Sequence, residues 1–134
     1  MALARIESRW LRAFGFGLLA EVTTIVAVIA IVTVHSVVEG GPMIDMTSRF
    51  ATIWGAAIGI VGGAFFVYVY ARWIANLVPS RYIAHGIVVA LGAILLHVAG
   101  SLKSPENLRA LQVGADVLKL FAGALGGWVA SRHA

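Results

Sequence analysis

Four blocks of apolar residues, each about as long as a bilayer is thick, dictate what this chain can become. They cover about residues 13–34, 50–71, 83–102 and 110–130. At 1.5 Å per residue, a helix of roughly 20 residues crosses a hydrocarbon core of about 30 Å. No water is available there for backbone N–H and C=O groups, so each block must be helical. Of the 134 residues, 60% are hydrophobic and 12% charged, too little polar surface to cover a water-soluble domain. The expected fold is an all-α integral membrane four-helix bundle, one domain over residues 1–134. The first block exceeds the apolar core of a signal peptide and is expected to remain as a span.

The connectors carry stop and start signals. Gly40, Gly41 and Pro42 break the first helix, and Pro79 ends the second. Ser80 is a candidate cap for the third helix. Ser104 is a candidate cap for the fourth, with Pro105 in its first turn and Glu106 near the positive end of its dipole. Arg5, Arg9, Arg12, Arg72, Arg81 and Arg132 fall on one side of the bundle, and Arg49, Lys103 and Arg109 on the other. This bias of six against three predicts that both termini face the cytoplasm, N-in/C-in. A bacterial inner membrane suits so small a chain. The excess of basic residues serves topology here, and no nucleic-acid partner is expected.

Each block carries a stripe of small or polar residues. Gly55, Gly59 and Gly63 recur every four positions on the second, and Gly86, Ala90, Ala93, His97 and Gly100 mark one face of the third. The fourth carries Gln112, Asp116, Lys119 and Gly123, with Gly127 one turn on; the first carries Gly17, Glu21 and Thr24. Glycines at such spacing let helices approach closely where no hydrophobic force drives association. They predict packing surfaces at Gly55, Gly59, Gly63, Gly86, Gly123 and Gly127, within one copy or against another protein.

The charges inside the blocks are the second constraint. An ionised side chain at the centre of a membrane helix costs about 2.5–3.5 kcal/mol even on lenient scales. Glu21 lies roughly 12 Å, and Lys119 roughly 16 Å, from the cytoplasmic edge, counted along their helices. Asp116 and His97 both fall near 21 Å. If the first and fourth helices are neighbours, a carboxylate faces an ammonium and a second carboxylate faces an imidazole. Glu21, Asp116, Lys119 and His97 are therefore expected to form one buried polar cluster, either a structural ion-pair network or an ion site. His85 is expected at the cytoplasmic interface.

No thiolate site exists, because the chain has no cysteine. His35 and His97 sit at different depths, which does not suit a haem. No nucleophile elbow, phosphate loop or zinc-protease motif is present. No metal, cofactor or catalytic residue is assigned.

The stretch LLAEVTTIVAV around Glu21 resembles the first helix of small multidrug-resistance exporters, which carry a central membrane Glu in an Ala-Glu-Val setting. ATIWGAAIGIVGG is similar to a Trp- and Gly-rich stretch of the same family. There it lies on the third helix, and here on the second. The resemblance implies a four-helix exporter in which Glu21 is the proton and cation site. The residues themselves lead first to a non-enzymatic accessory or scaffold subunit, or a homo-oligomer, associating through glycine faces with other membrane subunits or with itself. The alternative is a small proton- or cation-coupled transporter or channel that uses the buried cluster.

Overall fold

The computed structural model describes residues 2–133, with side chains from Arg9 onward. Arg5, counted above for topology, has its side chain outside that range. The described residues form four α-helices and no strand: α1 (Ala2–Val38), α2 (Ala56–Ala75), α3 (Tyr82–Ser101) and α4 (Arg109–Ser131). All four are long and apolar enough to cross a membrane. The end where α1 begins and α4 finishes is the near end, and the opposite one the far end.

α1 outruns its apolar block at both ends. Its first turns are built from Ala, Leu, Arg and Glu, all strong helix formers. It stops where Gly40 takes a left-handed φ of +73°. The Gly41 N–H then reaches back to the Ser36 carbonyl at 2.8 Å and the Gly40 N–H to Val37 at 3.1 Å. This pair of bonds satisfies the last carbonyls of a helix when a glycine follows it.

The far-end connector is organised by Asp45 and Ser48. The Thr47 hydroxyl and backbone N–H both donate to the Asp45 carboxylate, at 2.7 and 3.0 Å. These bonds hold Asp45 below the ordinary carboxylate pKa. Ser48 Oγ accepts the Ala51 N–H at 3.1 Å and so starts the next helical segment. Its first turn, Ala51–Gly55, is a π-helix that runs on into α2. Ser48→Ala is expected to cost about 1 kcal/mol, read as a lower unfolding midpoint and faster amide exchange over residues 51–55.

Two expected caps are not used. α3 is preceded by Arg81 in the left-handed region (φ 57°, ψ 40°), with no side-chain cap. The Arg81 carbonyl instead accepts both the His85 N–H and a contact from His85 Nδ1, each at 3.0 Å, which leaves Ser80 outside the first turn. Before α4, Pro105 is extended and a 3-10 turn, Glu106–Leu108, intervenes. Ser104 makes a backbone bond to Ser101 rather than capping the helix.

The contacts fix the topology. Trp10 stacks on His85 and Gly17 meets Val89, so α1 and α3 run parallel. Gly63 lies beside Lys119 and Gly126 beside Tyr68, so α2 and α4 also run parallel. Thr23–Tyr70 and His35–Phe50 make α1 and α2 antiparallel. Gly86–Gly123 and His97–Asp116 do the same for α3 and α4. In cross-section α2 and α3 pack across the short diagonal, while among the described residues the backbones of α1 and α4, on the long one, stay apart. The first and fourth helices are therefore not neighbours, contrary to the simplest expectation from depth.

The near half is packed backbone against backbone. A Cβ on Gly86 would overlap the Gly123 carbonyl, one on Gly127 the Tyr82 carbonyl, and one on Gly17 the Val89 carbonyl. The buried side chains among them are Ala13, Ala20, Ala71, Ala90 and Ala93, with the branched Val67, Ile74 and Val89 between them. Close approach of this kind supplies the dispersion contacts that hold helices together in lipid.

Candidate functional site

Above that packed half the interior becomes polar. Lys119 projects from α4 across the bundle and donates to Glu21 Oε2 on α1 at 2.6 Å. Both are buried, Lys119 at 1% and Glu21 at 4% exposure. The lysine stem passes over Gly63, where a Cβ would lie 3.0 Å from Lys119 Cε. Gly63 thus makes room for a side chain rather than for a helix. Thr24, beside it, donates its hydroxyl to the Ala20 carbonyl at 2.9 Å and does not join the pair.

His97 and Asp116 form the second half of the cluster. His97 Nδ1 and Asp116 Oδ1 are 2.6 Å apart, and Asp116 lies 4.0 Å from Lys119 Nζ. These two side chains are more accessible, at 24% and 17% against 2% and 6% for Lys119 and Glu21. All four cluster residues are therefore linked in one chain of contacts. Removing one partner of so deep a contact leaves the other without its hydrogen bond in low dielectric.

A cavity of about 550 Å³ stands on this cluster between α1, α2 and α4. Glu21, Lys119 and His97 line its inner end, and Ile44 and Met46 of the far-end connector line the other. Its walls are mostly apolar, with Thr24, Thr52 and Gln112 as further polar residues. The cavity follows from the long diagonal: α1 and α4 do not close on each other.

Within the chain, the glycine stripe of α2 is not a seam between helix backbones at its far end. Gly55 and Gly59 touch no other backbone; a Cβ on either would meet only the Val28 side chain, at 3.7 and 4.0 Å. Branched Val28 holds α1 away, so these two glycines line the cavity instead of forming a close helix contact. Gly86, Gly123 and Gly127 are engaged within the chain. His85, in the first turn of α3, is 5% exposed, and its ring stacks on Trp10 with centroids 4.0 Å apart. Among the described residues its Nε2 has no partner.

Sequence reasoning did not find the cavity, or the close approaches at Gly92 and Gly126. Gly92 lies against the Phe14 carbonyl and Gly126 against the Tyr68 carbonyl. Gly126 adjoins Gly127 on a different face of α4, and a search confined to one stripe per helix passes over it. Among the described residues, no three His, Asp or Glu side chains converge as a metal site would require. No protein-family model matches the chain, and neither the curated proteins nor the solved structures contain a match. The likeness to multidrug-resistance exporters thus rests on the two short stretches alone.

Proposed function

We propose that the chain is a small, non-enzymatic multi-pass transporter of a bacterial inner membrane, with both termini in the cytoplasm. It binds its substrate in the cavity and couples movement to a proton or cation through Glu21, Lys119, Asp116 and His97. One observation carries this reading: the cluster forms the inner end of a cavity whose other end is lined by Ile44 and Met46 of the far-end connector. A purely structural ion pair needs no such opening. Intramembrane ionisable groups that meet a cavity are the usual elements of ion pathways.

Association with other subunits, or with a second copy, is the competing reading. It drew on glycine faces, and Gly63, Gly86, Gly123 and Gly127 have neighbours inside the chain.

The test is reconstitution in liposomes loaded with a pH-sensitive dye, under a valinomycin-imposed potential. The wild type is expected to carry a proton current above that of empty liposomes. The charge-neutral double variant Glu21→Gln/Lys119→Met is expected to insert and to lose that current. Equal currents in the two proteins would remove the cluster from the pathway. No current, together with a partner retained on gentle purification from native membrane, would establish the subunit reading.

A further inference from the structure

The following rests on the transport reading and names what the cavity takes. We infer that its ligand is a neutral amphiphile with hydroxyl groups at one end, an aliphatic alcohol or diol. The head donates hydrogen bonds to the cavity floor, and the hydrocarbon lies along the walls.

A count of hydrogen-bonding atoms leads there. The polar side chains around the cavity have their donors engaged inside the protein. Lys119 donates to Glu21 Oε2 at 2.6 Å, Thr24 to the Ala20 carbonyl at 2.9 Å and Thr52 to the Ser48 carbonyl at 2.9 Å. A hydroxyl whose single proton is engaged can only accept. His97 Nδ1 is taken up by the Asp116 carboxylate at 2.6 Å. Lys119, at 1% exposure, offers a ligand almost nothing. The Gln112 amide, which both donates and accepts, is the exception on the walls.

What remains toward the cavity is acceptors. Glu21 is 4% exposed and lines the floor, and its Oε1 has no donor among the described residues. That oxygen is not sealed in. Among the described residues, the one fully enclosed side-chain atom without a partner is His85 Nε2, elsewhere in the molecule. A carboxylate oxygen without a donor in a low-dielectric interior is costly, and an incoming O–H relieves that cost.

The way in decides that the head is uncharged. Ile25 and Ile29 of α1 and Leu111 of α4 line the cavity and are 46, 39 and 48% exposed. Their spacing in fours from Glu21 and Lys119 puts them on the helix faces that border the gap between α1 and α4. Within the spans, that gap faces lipid. A ligand entering sideways crosses hydrocarbon, where an ionised head costs many times what a hydroxyl does. The carboxylate it meets already has its counter-ion in Lys119, and an anionic head would be repelled by Glu21. A volume of about 550 Å³ lies in the range of small-molecule sites.

The chain has no cysteine, so Gly59→Cys places a single thiol on the cavity wall, where a Cβ meets only a Val28 methyl at 4.0 Å. Octane-1,2-diol and 1,2-dimethoxyoctane share their hydrocarbon, and only the diol has O–H groups. Each is titrated, in the detergent-purified protein, against the rate at which N-ethylmaleimide modifies the thiol. The diol is expected to protect at about tenfold lower concentration than the diether, as one hydrogen bond to a charged acceptor requires. Adding Glu21→Gln/Lys119→Met should remove most of that preference, while continued protection by the diether reports an intact cavity. Val61→Cys, at a position on the same helix that is 66% exposed and outside the cavity, should be protected by neither and corrects for the micelle. Equal protection by diol and diether would overturn the hydroxyl assignment. Stronger protection by octyltrimethylammonium than by the diol would overturn the neutral one. If no probe protects Gly59→Cys while the wild type carries its proton current in liposomes, the ligand is refuted and the transport reading stands. If that current is absent as well, both fall.

Discussion

Lys119→Met is expected to be among the most damaging single substitutions in this chain, lowering stability by about 3–5 kcal/mol, because it strands the Glu21 carboxylate in the interior. Methionine keeps most of the volume over Gly63, so the loss reads the charge and not a cavity. The Thr24 hydroxyl is already bonded to the Ala20 carbonyl, and no second donor contacts the Glu21 carboxylate among the described residues. Adding Glu21→Gln should recover most of the loss, since a buried pair replaced as a unit is often close to neutral. Unfolding midpoints of the wild type, both single variants and the double variant give the coupling directly. A double variant no more stable than Lys119→Met would show that the two groups do not compensate each other.

Gly86→Ala is expected to cost about 3 kcal/mol, the upper end for overpacking, because its Cβ would meet the Gly123 carbonyl and a backbone cannot rotate away. Separating α3 from α4 to make room would also draw His97 from Asp116, so altered access to the cavity should accompany the lost stability. Gly100→Ala, on the same helix, meets nothing within 4 Å. It should leave stability unchanged or raise it by about 0.5–1 kcal/mol. The contrast separates close helix approach from general intolerance of α3 to substitution. Equal midpoints for the two variants would remove the Gly86–Gly123 contact from the account of the fold.

The four helices were legible because lipid leaves a long apolar block little choice but to be helical. Glu21 and Lys119 could be paired from depth alone: a charge in oil must find a partner at its own level, and each helix rises by a fixed amount per residue. The same counting brought Asp116 to His97. It failed at adjacency. Depth says nothing of which helix lies beside which, and a lysine stem is long enough to cross a bundle, so the pair forms although the backbones of α1 and α4 stay apart. The glycines show the complementary limit. A spacing of four marks a smooth face but does not say what fills it. At Gly86 it is another backbone, at Gly63 a lysine, and at Gly55 open space beside Val28. The cavity was illegible for that reason, since it depends on where α1 and α4 fail to meet. Ser80 and Ser104 misled because proline and a left-handed arginine reset the chain before each helix begins.

The diagonal ion pair also governs how the chain can be assembled. Glu21 and Lys119 are 98 positions apart, so the carboxylate enters the membrane with the first helix, and its counter-ion arrives only with the last. Until α4 is inserted, Glu21 must stay protonated, keep contact with water, or be shielded by the insertion machinery. The final helix therefore acts as a latch on biogenesis: a chain truncated before Lys119 is left with an orphan acid in its first span, a defect that marks it as unfinished.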